Sequence, residues 1–135
     1  MLQIENVSKD LGEFKMTDIN LHIKEGEYFI LLGPTGSGKT ILLETIAGIY
    51  QPDQGRILKK GVDITNFLPM ERSISMVYQD YMLFPHLTVE DNIGFGLRQK
   101  KKPRTEIKAQ VNDVADLLDV SHLLGRYPAT LSGGE

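Results

Sequence analysis

The sequence predicts an α/β fold built around a phosphate-binding loop, and three observations carry that prediction. Tyr28 to Leu32 in "YFILLG" is continuously apolar, as expected of a strand covered on both faces of a parallel sheet. That run leads straight into "GPTGSGKT", Gly33 to Thr40, which matches G-x-x-x-x-G-K-[ST] in full and opens a helical segment. Nearer the N-terminus, "LQIENV" and "TDINLHI" alternate apolar with polar residues, the period of half-buried strands.

The elements follow in order. In "TDINLHI", Ile19, Leu21 and Ile23 share one face, and Lys24, Glu25 and Gly26 mark a turn. The helix after the loop runs from Lys39 to about Ala47, stopped by Gly48 and then Pro52. "GRILKKG" and "SISMVYQ" read as two further strands. "TVEDNIGFGL" begins a helix, with Thr88 as N-cap and Asp91 three residues on, a weaker form of the capping box. Thr105 to Leu124 form the clearest helix, with Ile107, Val111, Val114, Leu117, Leu118 and Leu124 at helical spacing and Thr105 as its candidate cap.

Composition narrows the classes. With 135 residues there is room for one domain, or one domain and a small appendage. The 15 basic and 18 acidic residues give a net charge of −3, which argues against a surface built for nucleic acid. The chain has no cysteine, so disulfides and thiolate metal sites are excluded. "MLQIENVSKD" carries acidic residues where a signal peptide has its apolar stretch, and no apolar run approaches 18 residues. A soluble, intracellular chain is expected.

The chemistry of the loop explains its residue types. Glycines let the backbone curl so that successive N–H groups point at phosphate oxygens. The positive end of the following helix favours the anion. Gly33, Pro34, Thr35, Gly36, Ser37, Gly38, Lys39 and Thr40 are the candidate nucleotide-binding residues. Lys39 would reach the β- and γ-phosphates, and the Thr40 hydroxyl would take a place around Mg²⁺. A glycine-rich turn that binds nothing is the competing reading, and the complete motif in its strand-to-helix setting outweighs it.

Two further stretches choose among phosphate-loop proteins. "SMVYQDYMLFPHLTVEDNIGFGL", Ser75 to Leu97, places Gln79 at a strand end before an aromatic-rich loop, and "LSGGE", Leu131 to Glu135, follows a helical insert. With them the chain resembles the nucleotide-binding subunits of ATP-binding cassette (ABC) transporters over its whole length. The wording around "YQDYMLFPH" leans towards importers of molybdate, tungstate, sulfate and sugars, molybdate or tungstate first. The resemblance implies a partial nucleotide-binding domain, residues 1–80 forming the core with the phosphate and glutamine loops and 81–135 the helical subdomain. It also implies ATP and Mg²⁺, a transmembrane permease partner, a second cassette paired head to tail, and a place on the inner face of the membrane. No nucleic-acid partner is implied.

Carried over residue by residue, Gln79 contacts Mg²⁺ or the attacking water. Tyr81 to His86 line the groove for a permease helix, with Met82, Leu83 and Phe84 as a partner surface or as packing against the 105–124 helix. Ser132, Gly133 and Gly134 form the signature that caps ATP on the opposite subunit. The family's adenine-stacking aromatic falls where this chain has Leu11; Phe14 lies close by and supplies a ring for stacking or for core packing.

The family's Walker B aspartate, catalytic glutamate and switch histidine follow the signature and are not found in this sequence. "VADLLDV" is not a Walker B strand, because it sits inside a helical period. The expectations are therefore a partial cassette that is marginally stable alone and does not turn over ATP, or a non-catalytic piece that binds nucleotide or docks on a permease. No heptad run separates the phosphate loop from the signature, unlike DNA-repair relatives. "RQKKKPR" reads as a solvated linker, with anionic lipid contact as the lesser alternative. His22, His86 and His122 lack metal-ligand spacing.

Overall fold

A computed structural model describes residues 1–79 and 82–135. They form two compact units, 1–76 and 77–135.

The first unit is an antiparallel sheet with one helix packed on it. β1 (Leu2–Asp10), β2 (Lys15–Ile23), β3 (Gln54–Lys59) and β4 (Val62–Asp63) lie in the order β2-β1-β3-β4. α1 (Lys39–Ala47) follows the phosphate loop, with Gly48 in the left-handed region closing it (φ 90°). Leu42 and Ile46 of α1 meet Ile4, Val7, Met16, Ile57 and Ile64 in the core. The expected Ile19, Leu21 and Ile23 face is half-buried, with Ile19 and Leu21 packed against that cluster.

Sequence periodicity alone does not place Met16 or Val7 inside, because each lies out of step with its strand's other core residues. Two bulges restore the step. Asn6 on β1 and Asp18 on β2 both adopt φ 52°, and each adds one residue to its strand, so the shifts offset each other. Side chains lock the pair: Asn6 donates to the Asp18 carboxylate at 2.8 Å, and the Asn20 side chain accepts from the Asn6 amide at 2.9 Å. On β3 only glycine fits opposite, since a Cβ on Gly55 would lie 2.4 Å from the carbonyl oxygens of Glu5 and Asn6.

Two expected strands are not strands here. Neither Tyr28–Leu32 nor the "SISMVYQ" segment joins a ladder among the described residues. Leu31 packs against the core, while Tyr28 is 90% and Leu32 86% exposed. Ile74, Met76 and Tyr78 alternate in burial with Ser75, Val77 and Gln79, so the period of 2 survives without the ladder. A parallel strand needs neighbours to satisfy its backbone and a cover on each face. Here one face alone is covered.

In the second unit, α2 (Val89–Gln99) begins as expected: the Thr88 hydroxyl accepts from the Asp91 amide at 3.2 Å. α3 (Arg104–Leu117) departs from its reading. It starts after Pro103, without a cap from Thr105, and stops before Asp119, whose φ of 57° breaks the helical path. A 3-10 turn at Ser121–Leu123 takes up the rest. Val111 and Ala115 are its buried line, whereas Leu117 is 83% exposed and Val114 and Leu118 are exposed too. Gly94 sets that choice, because its bare Cα admits α3: a Cβ there would come within 3.3 Å of both Ile107 and Val111. No helix among the described residues is long and apolar enough to cross a membrane.

Candidate nucleotide-binding site

The phosphate loop hangs between Leu31, anchored in the core, and α1. Gly36 (φ 80°) and Gly38 (φ 87°) are both left-handed, a conformation that side chains with a Cβ adopt at a cost. Ser37 donates to the Pro34 carbonyl at 3.3 Å and closes the curl. The amides of Gly38, Lys39, Thr40 and Ile41 meet no acceptor among the described residues. α1 also has no side-chain cap and no acidic residue in its first turn. These free donors at a helix N-terminus form a site for an anion.

Lys39 folds back over this cradle. Its ammonium donates to the carbonyls of Gly33 and Pro34, each at 2.7 Å, and to the Ser37 hydroxyl at 3.3 Å. These acceptors are neutral, so the full positive charge stays at the mouth of the loop. The exposed Thr40 hydroxyl offers a hard oxygen beside it, a donor that suits Mg²⁺.

Phe14 belongs to the same place. Its ring lies against Gly38 so closely that a Cβ there would be 2.1 Å from the ring Cζ, and it also packs on the core cluster. Gly38 is thus required twice, for its φ and for the ring. Leu11 is exposed, its amide bonded to the Phe14 carbonyl at 2.9 Å across the β1–β2 turn.

The remaining predicted residues lie in the second unit. Gln79 is exposed in a turn rather than at a strand end, and Tyr81 lies outside the described residues. Met82 (φ 48°), Leu83 and Phe84 are exposed. The Phe84 ring rests on Phe95 of α2, centroids 4.4 Å apart, and meets His86 edge-on at 6.1 Å. Asn92, which sequence reading missed, shapes this loop: it accepts from the Phe84 amide at 2.8 Å and donates to the carbonyls of Phe84, Leu87 and Thr88. A buried-side asparagine one turn into a helix, after an aromatic loop, was the available signal.

The Ser132–Gly134 segment follows a 3-10 turn at Pro128–Thr130. The Ser132 amide donates to the Glu135 carboxylate at 2.7 Å, and Glu135 donates back to the Ser132 carbonyl at 3.1 Å. Donation from the Ser132 amide, and then from its hydroxyl, holds the Glu135 carboxyl below its usual range.

This loop, with its free amides, poised lysine and helix, defines a phosphate-loop nucleotide-binding fold, and the chain belongs to the ABC transporter family, whose profile matches residues 16–135. It is 56% identical to the molybdate/tungstate import ATP-binding protein WtpC of Pyrococcus horikoshii, over 100% of the chain and 39% of that protein. It is 48% identical to the sulfate/thiosulfate import ATP-binding protein CysA of Gloeobacter violaceus, over 98% of the chain and 39% of that protein. Among solved structures, a dimeric ATP-binding cassette in a post-hydrolysis state bound to ADP and Pi superposes with a TM-score of 0.85 at 27% identity, covering 99% of this chain and 64% of that one. The chain spans about two-fifths of the length of these curated relatives (39%).

Proposed function

We propose that this chain binds ATP with Mg²⁺ at Gly33–Thr40, as the ATP-binding subunit of an importer that couples nucleotide binding and hydrolysis to solute uptake. The unpartnered amides of Gly38 to Ile41, at the start of α1, carry the reading. An entering phosphate gives them charged acceptors, and it offers the Lys39 ammonium full negative charge in place of neutral carbonyls. Thr40 is the oxygen ligand that this loop offers to Mg²⁺, which would supply neutralisation of the outer phosphates. Phe14 offers its ring for stacking on the adenine, beside Gly38. Identity to molybdate/tungstate and sulfate import proteins supports an oxyanion as the cargo, molybdate or tungstate first.

The same relatives support a permease partner, reached through Met82 to His86, and a place on the cytoplasmic face of the membrane. A second cassette would meet this one head to tail, with Ser132, Gly133 and Gly134 facing its nucleotide.

Titration calorimetry with Mg-ATP tests the site. Lys39→Ala removes one charge-assisted contact, worth about 1.5–3 kcal/mol, and is expected to weaken binding by about tenfold to a hundredfold. Equal affinity in the two proteins refutes the assignment.

A further inference from the structure

Arg72 heads the fully buried side chains, at 1% exposure. Its guanidinium meets four backbone carbonyls. Nη1 donates to Thr45 and Ile46, each at 2.9 Å, Nε to Phe67 at 3.0 Å, and Nη2 to Thr65 at 2.6 Å. No carboxylate pairs with it among the described residues, and burial pushes the group below its ordinary range. Its own backbone is gripped in turn: Lys59 of β3 donates to the Arg72 carbonyl at 2.9 Å and to that of Ser73 at 2.6 Å. A Cβ on Gly48 would lie 2.5 Å from Arg72 Nε, so the helix stop is shaped around the guanidinium.

Burying a cation without a counter-charge is costly. α1 already has apolar contacts through Leu42 and Ile46. Those contacts are non-directional and hold the helix on the sheet without fixing its position along its own axis. A planar fork with rigidly spaced donors does fix it. Thr45 and Ile46 lie in the last turn of α1, and the phosphate loop opens its first. The helix between is a stiff rod of about 12 Å at 1.5 Å per residue.

We infer that Arg72 is a positioning residue for the phosphate loop, setting the axial position of α1, and through it the amides of Gly38 to Ile41, by clamping the helix's far end to the chain at Thr65–Phe67. This rests on the reading of that loop as a nucleotide site. Arg72 touches no phosphate itself. A misplacement of about 1 Å at a distance can cost an enzyme on the order of 10²-fold.

The test uses the full chain, well below its unfolding midpoint, with Arg72→Lys beside Ile57→Val, a core variant of the same unit. Two readouts are taken: the Kd of a fluorescent ATP analogue, and nucleotide-free amide exchange at Gly36–Ile41. Arg72→Lys is expected to weaken binding about tenfold and to speed exchange in the loop. Ile57→Val is expected to lower the melting temperature while leaving the Kd within about twofold. Unchanged affinity and exchange in Arg72→Lys overturns the proposal, and so does an equal loss in Ile57→Val. If Arg72→Lys does not fold, Gly48→Ala, whose Cβ displaces the guanidinium, carries the same expectation and the same refutation. A parent chain that binds no nucleotide refutes the functional reading instead, and the exchange arm still decides the clamp.

Discussion

The phosphate loop and the Ser132–Glu135 turn are both short, glycine-bearing segments suited to an anion, yet they differ in how many backbone donors they leave free and in the charge beside them. In the first, four successive amides from Gly38 to Ile41 have no acceptor among the described residues, and the nearby charge is a lysine. In the second, the Ser132 amide already holds the Glu135 carboxylate. Glycine content does not separate them. The first turn of α1 contains no carboxylate to fill the loop, whereas "LSGGE" brings its own, three residues away. Anion capacity is thus set by what the chain leaves unsatisfied: four successive amides in the phosphate loop, against those of Gly133 and Gly134 beside a carboxylate in the second segment.

The largest test of that contrast is Gly38→Ala. A left-handed φ costs about 1–3 kcal/mol outside glycine, and overpacking against Phe14 adds about as much. Thermal unfolding should show a loss of about 2–6 kcal/mol, with nucleotide binding abolished. A variant that melts and binds like the parent would mean the loop does not depend on this curl.

Phe14→Leu is expected to act less and more selectively. It keeps apolar volume on the core while removing the flat ring, and stacking of a base on an aromatic is worth about 1–3 kcal/mol. Affinity for ATP should fall while affinity for inorganic triphosphate stays unchanged. Equal effects on both ligands would assign Phe14 to packing alone.

The smallest effect is on the second segment. The Glu135 carboxyl lies below its usual 4.5, so its hold on Ser132 is complete above that value and is lost as pH falls through the lowered one. The Ser132 amide resonance should titrate below pH 4.5 and stop doing so in Glu135→Gln, with almost no change in unfolding midpoint. Phosphate-loop amides should not follow that titration. If they do, the contrast between the segments fails.

Much of this molecule was legible in its residues, for local reasons. "GPTGSGKT" dictates a curl and a helix start through glycine freedom and one lysine, so Gly33–Thr40 and α1 stand where the motif puts them. Thr88 caps α2 because a hydroxyl three residues before Asp91 reaches its amide without help from elsewhere. Tertiary structure alone decided what depends on partners distant in sequence. The opposed bulges at Asn6 and Asp18 bring Val7 and Met16 inside, which neither strand's own alternation shows. Tyr28–Leu32 reads as a doubly covered strand, but a ladder is a property of neighbours, and among the described residues it has none. α3 buries Val111 and Ala115 rather than Leu117 because Gly94 on another helix lets it approach there. Nothing in the sequence singles out Arg72, on which four carbonyls from two separate stretches converge. A backbone carbonyl is the same in every residue, so no side-chain pattern announces where four of them will meet.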